Sequence, residues 1–331
     1  MPPDATEYRI RMALAGQAHD SDTVRLASDD LTGFDHLVAT RKGLFIARPG
    51  AHRQIAYGQY YGIAIDGETI YAFEACDRPR IRSNRGRIVR LRHRAGRIEQ
   101  ADVLARNLDN GCHQIDIIDD ALIVTDTYNQ RLLRIPLEGG APEILAPLPL
   151  PIEGEPDTYV HVNSLLACGD AIYLLLHNDS GRTGRDSAIA MFDRCWNRTG
   201  TIPLAGQGCH SLAMLEDGTL LSCGSAAGEI VGSDGRAIKI SNRMTRGLSV
   251  DADRIVVGGS VFLEREARDD APGSVDFLTR DYRPLGLVEL PGPVMEVRRI
   301  DGQDRSLSAF LARAHEKGRV PRPAPCDPSP S

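Results

Sequence analysis

Asn110-Gly111-Cys112-His113-Gln114-Ile115-Asp116-Ile117-Ile118 returns in altered form as Gln207-Gly208-Cys209-His210-Ser211-Leu212-Ala213-Met214-Leu215. Each copy sets Gly-Cys-His before a short apolar run. A polar turn follows (Asp119-Asp120; Glu216-Asp217-Gly218), then a second apolar run (Leu122 to Thr125; Thr219 to Cys223). Short apolar runs on either side of a polar turn are the pattern of a β-hairpin. The sequence therefore writes one hairpin twice.

Matching the turn, and the apolar residue two places after the histidine, lays the same frame on other stretches. Tyr61-Gly62-Ile63 leads to Asp66-Gly67-Glu68, Asn163-Ser164-Leu165 to Gly169-Asp170, Arg246-Gly247-Leu248 to Asp251-Ala252-Asp253, and Asp35-His36-Leu37 to Arg41-Lys42-Gly43. The leading residues are Asp35, Tyr61, His113, Asn163, His210 and Arg246, at intervals of 26, 52, 50, 47 and 36 residues. Units of this length, each holding several short strands, mark a radial β array. Residues 61 to 293 make five such units. Residues 8 to 60 and the run Val294 to Ile300 together supply one more, so the fold class predicted is an all-β propeller of six blades. Strands from both ends of the chain would then close the ring and hide its sheet edges. Five blades with an N-terminal extension is the alternative. Tyr8 to Ala15 alternates like a strand, and Thr23 to Ala27 and His52 to Tyr57 read as further strands. Residues 1 to 7 read as a leader and 8 to 304 as one domain. In the remainder, 305 to 331, a short helix over 307 to 315 precedes a proline-rich disordered tail.

Composition is that of an ordinary globular chain: 331 residues, 42% hydrophobic and 25% charged. A net charge of −6 argues against nucleic acid held by bulk attraction. No stretch has the length of a membrane span, and Met1-Pro2-Pro3-Asp4 does not open a secretory signal. Seven cysteines without paired spacing fit free thiols and a cytoplasmic location. No CxxC occurs to make a thiolate zinc site.

In a four-stranded meander the start of the first strand and the connection between the second and third lie at one edge. In a propeller that edge is one face, and the first strand lines the channel. The six leading residues should therefore converge on one channel mouth, with His161 two places before Asn163 and His36 beside Asp35. Cys112 and Cys209 are expected to pack between blades as small apolar groups. Long connections on the same face carry Arg78, Arg80, Arg82, Arg182, Arg185, Arg265 and Arg268, and the planar fork of arginine suits carboxylate or phosphate.

The reading assigns His113, His210, Tyr61 and Asp35 to catalysis, and Arg246, Asn163, Arg82 and Arg265 to an anionic substrate. His113, His210 and His161 are the candidate metal ligands. An enzyme working on a small anionic molecule is expected, by metal-assisted hydrolysis or by histidine acid/base chemistry of the lyase or isomerase kind. The alternative is a propeller that binds a ligand or protein without catalysis. No nucleic-acid or membrane partner is expected.

The run Asp126-Thr127-Tyr128-Asn129-Gln130-Arg131, between Ile123 and Ile135, resembles the strand-turn-strand centre of an NHL repeat, a unit of six-bladed propellers. The blade count, and functional side chains at the starts of inner strands, are similar to the gluconolactonase-like (SMP-30-like) propellers. That resemblance implies a calcium ion held by carboxylate and amide oxygens. Asp35 and Asn163 would suit it, whereas His113 and His210 stand where oxygens are wanted. Imidazole suits zinc or iron better than calcium. Walker, GxSxG and HExxH motifs are absent.

Overall fold

The computed structural model describes residues 5–78, 81–153, 155–263 and 267–304. It holds six antiparallel four-stranded sheets. The first blade runs Tyr60–Asp66, Thr69–Ala75, Gly86–Arg94 and Arg97–Leu108, and the second Ile115–Ile118, Ala121–Asp126, Arg131–Pro136 and Glu143–Leu145. Blade three is Val162–Cys168, Ala171–Leu176, Ala188–Asp193 and Arg198–Pro203, and blade four Cys209–Met214, Leu220–Gly224, Glu229–Gly232 and Ala237–Lys239. The fifth is Met244–Val250, Arg254–Ser260, Gly273–Thr279 and Pro284–Leu290. In the sixth, Val294–Arg299 pairs with His36–Thr40, which continues through Gly43–Arg48 to Ala51–Ala56. The expected six-bladed propeller, closed by both ends of the chain, is the fold observed.

The first strand of each blade lines the axis, and at three leading positions the residue that follows stitches its strand to the next blade. Gln114 accepts from the Leu165 amide through Oε1 (2.6 Å), Ser164 from the Ser211 amide through Oγ (2.8 Å), and Ser211 from the Gly247 amide through Oγ (3.1 Å). At Gly62 a Cβ would lie 2.4 Å from the amide nitrogen of Ile115, so only glycine lets the first two inner strands meet. The strand register slips at the leading positions, between Tyr60 and Ile63, Val162 and Ser164, His210 and Ala213, and Thr245 and Leu248. Such bulges re-aim a side chain out of the sheet, here toward the channel mouth.

Three expectations are corrected. The strand over Tyr8 to Ala15 is instead part of a helix, Ala5–His19. Alanine, leucine, methionine and arginine dominate that stretch and favour helix, which outweighs its short alternation. The helix C-terminal end is received by arginines of blade one. Arg85 donates to the Gly16 carbonyl (2.8 Å), Arg106 to that of His19 (2.6 Å), and the buried Arg87, paired with Glu74, to that of Ala18. These cations satisfy carbonyls the helix leaves open. Thr23 to Ala27 forms no strand; Leu26 makes an isolated bridge to Ala56.

The third correction concerns Asp35. The inner strand of the closing blade is Val294–Arg299, so His36–Thr40 is its second strand and runs the other way. His36 pairs with Arg299, at the far end from the mouth. Asp35 therefore lies on the opposite face, bonded to His36 Nδ1 (2.9 Å) and Arg254 (2.9 Å). His36 is fully buried with its ring edge-on to Phe277. At the mouth, the register of the closing blade gives the sixth position to Met295, opposite the irregularity between Ala39 and Thr40. The helix expected over 307 to 315, the tail and Cys326 lie outside the described residues. Cys76, Cys112, Cys209 and Cys223 are buried thiols. Burial pushes that of Cys209 up to about 11, consistent with packing rather than reactivity. No helix among the described residues is long and apolar enough to cross a membrane.

Candidate active site at the channel mouth

The repeated Gly-Cys-His builds the same device twice. His113 Nδ1 lies 2.8 Å from the carbonyl oxygen of Gly111, and His210 Nδ1 lies 2.8 Å from that of Gly208. A carbonyl can only accept, so each Nδ1 carries the hydrogen and each Nε2 presents a lone pair. The two rings are nearly parallel, with centroids 6.2 Å apart. Gly111 is required because a Cβ there would run into the Tyr128 ring at 2.2 Å.

His161 and His177 complete a group of four imidazoles. The amide of His177 donates to the His161 carbonyl (3.2 Å), extending the hairpin of blade three past its regular strands. Residues that face each other across a ladder put their side chains on one side, and these rings lie 4.6 Å apart. His113 reaches His161 with Nε2 to Nε2 at 3.4 Å, and the His177 and His210 rings are 5.2 Å apart. The segment before His161 is clamped by Gln130, whose amide bonds the carbonyls of Pro149 and Thr158 and the amide of Val160. Tyr159 adds a hydrogen bond to the Thr127 carbonyl (3.1 Å). The NHL-like run thus has a task here: Asp126 accepts from Asn129 (2.7 Å) and Arg131 (2.6 Å), shaping the turn from which Gln130 reaches out.

Burial above all keeps three of these rings neutral. Burial, then the charge of Arg246, then neighbouring imidazoles hold His113 and His210 well below the ordinary histidine pKa. Burial takes His177 down to about 4, against an upward pull from Asp179. Arg246 makes no hydrogen bond or ion pair with another described residue. Its burial, then the charge of Arg41, bring it down to about 10, still a cation at neutral pH. Tyr61 closes the ring, with its centroid 6.4 Å from that of His113 and the Arg41 guanidinium 5.6 Å above its face. Arg41 is anchored by Asp269.

Of the residues singled out from sequence, His113, His210, His161, Tyr61 and Arg246 therefore stand together. Asn163 sits in the wall instead. It is buried, donates to the Cys209 carbonyl (2.8 Å), and leaves its Oδ1 without a hydrogen-bond partner. Arg82 lies at the rim over the Tyr128 ring and bonds the Tyr128 carbonyl. Arg80 and Arg265 lie outside the described residues. Three of the other loop arginines are engaged locally: Arg182 with Asp179, Arg185 with the Asp157 carbonyl, and Arg268 with that of Leu263. Two contributors were missed. His177 opens a loop that the sequence reading valued only for its arginines. Arg41 is the turn of the closing blade, which the misplaced frame put elsewhere.

No family model matches the chain, and no curated protein matches it. Its likeness is to solved structures. A chain of a nidogen/laminin complex is 9% identical with a TM-score of 0.58, over 82% of this chain and 100% of that one. A putative gluconolactonase is 14% identical with a TM-score of 0.53, over 85% and 95%. A protein of unknown function from Bacteroides caccae is 12% identical with a TM-score of 0.51, over 81% and 99%.

The fold is shared with these propellers. The six-bladed architecture expected from sequence is therefore present. At these identities the likeness extends to the fold alone.

The calcium site implied by that resemblance does not fit the mouth. Four imidazoles stand there, Asp35 is on the other face, and the Asn163 amide is tied to a neighbouring strand. Calcium is held by six to eight oxygens, whereas this donor set is nitrogen-rich and suits zinc, iron, nickel or copper.

Proposed function

We propose that this protein is an enzyme that binds a small molecule bearing a carboxylate or phosphate at the histidine mouth and hydrolyses an ester or lactone bond in it. The observation that carries this reading is Arg246, a cation with no hydrogen-bond or ion-pair partner among the described residues, set in an open mouth beside His113, His177 and His210, whose pKa values are held low. Such an arginine offers a fork for a planar anion, and the imidazoles beside it offer unprotonated nitrogens. In hydrolysis, water adds to the carbonyl and gives a proton to an Nε2. The acyl–oxygen bond then breaks, and the leaving oxygen takes that proton back. A divalent ion, zinc or iron in preference to calcium, would polarise the carbonyl or lower the pKa of the attacking water.

A second reading, lyase or isomerase chemistry, is favoured by the facing Nε2 atoms of His113 and His161, one able to accept while the other donates. Oxygen-18 water separates the two, because hydrolysis places the label in the product acid and elimination does not.

The test of the anion is a thermal-shift and turnover screen of lactones, carboxylate-bearing esters and phosphate esters beside their neutral analogues, on the parent and two variants. Charged hydrogen bonds contribute about 1.5–3 kcal/mol, roughly ten- to hundredfold in affinity. Arg246→Ala should lose that response and Arg246→Lys most of it. Equal response to neutral compounds, or an anion response intact in Arg246→Ala, would put a non-catalytic binding propeller ahead.

A further inference from the structure

The ligand set for an ion at the mouth is not the one the repeated Gly-Cys-His suggests. Among the described residues, the group whose ligand atoms all lie within 4.8 Å of one another is His161, His177 and Asp179. No trio that includes His113 or His210 comes that close. We infer that His161, His177 and Asp179 form a three-ligand site for a divalent transition metal, zinc foremost, with its remaining position open to the mouth.

Several observations converge on this trio. All three side chains are partly exposed, so an ion can reach them from solvent. His161 and His177 face each other just past the ends of the paired strands Val162–Cys168 and Ala171–Leu176, tied by the bond from the His177 amide to the His161 carbonyl. Asp179 follows two residues later. Asn178 and Asp179 both take left-handed backbone angles (φ 58° and 47°), which turn the chain back toward the imidazoles. His177 Nδ1 is buried without a hydrogen-bond partner, a state that ligation or a tautomer change relieves. Two histidines and a carboxylate with one position free is the pattern of catalytic rather than structural zinc.

Asp179 is already engaged on one side. Arg182 donates from Nε to its Oδ2 at 2.7 Å. This contact orients the carboxylate and also competes for it, giving a variant whose effect on metal binding has the opposite sign to ligand loss.

The inference deepens the hydrolytic reading by placing the ion that reading would use, but its test needs no substrate. Untagged, chelator-stripped protein is titrated with cobalt(II), read by visible absorption, and with zinc, read by competition against a chromogenic chelator. One equivalent should bind. His161→Gln and His177→Gln should each weaken it by tenfold or more, and Asp179→Asn by about tenfold. Arg182→Ala should tighten binding several-fold by freeing Oδ2, a gain that mere loosening of the loop would not give. Circular dichroism confirms that each variant is folded.

Failure of the parent to bind cobalt or zinc at micromolar concentration overturns the site. So does retention of affinity in His177→Gln together with its loss in His210→Gln. An anion screen that fails while metal binds would remove the proposed activity and leave the site standing. The reverse outcome would remove the site and leave acid/base chemistry.

Discussion

His113 Nε2 lies 3.4 Å from His161 Nε2, and at most one of these facing nitrogens holds a hydrogen. Because the His113 hydrogen sits on Nδ1 against the Gly111 carbonyl, the donor in the metal-free protein is His161. Long-range proton–nitrogen spectra of chelator-treated protein should show His113 as the Nδ1–H tautomer and His161 as Nε2–H. The same protonation pattern on both rings would remove the pairing.

The depressed histidines make stability depend on pH with a definite sign. In the metal-free protein His113, His177 and His210 resist protonation when folded, yet protonate near 6.5 when unfolded. Below about pH 6.5 the unfolded chain binds more protons, so stability falls as pH drops toward about 4. Arg246→Ala should lift the His210 pKa, since that charge ranks next after burial among its causes. The slope of melting temperature between pH 7 and 5 should flatten in this variant. An unchanged slope with unchanged His210 titration would contradict the electrostatic account.

Gly62→Ala should be strongly destabilising. Its Cβ would press on the backbone of Ile115 and Gln114 at 2.4–2.8 Å, where no side chain can swing away. Overpacking of this kind costs about 1–3 kcal/mol or more. Gly181→Ala, with nothing within 4 Å of the added carbon, is the control and should stay within about 0.5 kcal/mol. Urea melts compare the two.

Removal of residues 294 to 331 takes away the inner strand of the closing blade. It also removes Arg298, buried between Asp304 (2.9 Å) and the Ile63 carbonyl (3.0 Å). The truncated chain should show no cooperative melt. A point variant asks the same question more gently. Asp304→Ala removes the nearer of the two carboxylates paired with a buried guanidinium, leaving Asp116 at 3.8 Å, and should cost about 3 kcal/mol. Cooperative melting of the truncated chain at the parental temperature would mean that the ring does not need this strand.

Much of this was legible where the chain repeats itself. Gly-Cys-His before His113 and His210, and the turn spacing that aligns Tyr61, Asn163 and Arg246 with them, were enough to order five inner strands. The frame failed at Asp35 for a topological reason. A hairpin pattern does not say whether its first strand is inner or second, and in the closing blade the inner strand comes from the far end of the chain. That offset also hid Arg41, whose turn lies at the mouth only in the true register. His177 could have been found by counting back from the Gly169-Asp170 turn, which brings it opposite the residues around His161. The bulge at Asn163 is what makes His161 its actual partner. Asn163 itself could not be placed by pattern, since only the packed structure shows its amide committed to Cys209.

The closing blade also bears on how the molecule comes into being. Its outer three strands, from His36 to Ala56, are made before the five intervening blades, and the strand that covers their open edge, Val294–Arg299, is made after them. Throughout synthesis of the five intervening blades that edge waits unpaired, a row of amides and carbonyls free to join any passing strand. Completion of the ring thus waits for all five intervening blades. A nascent chain arrested before residue 294 should be protease-sensitive at His36–Thr40, and should gain protection there only when the final strand emerges.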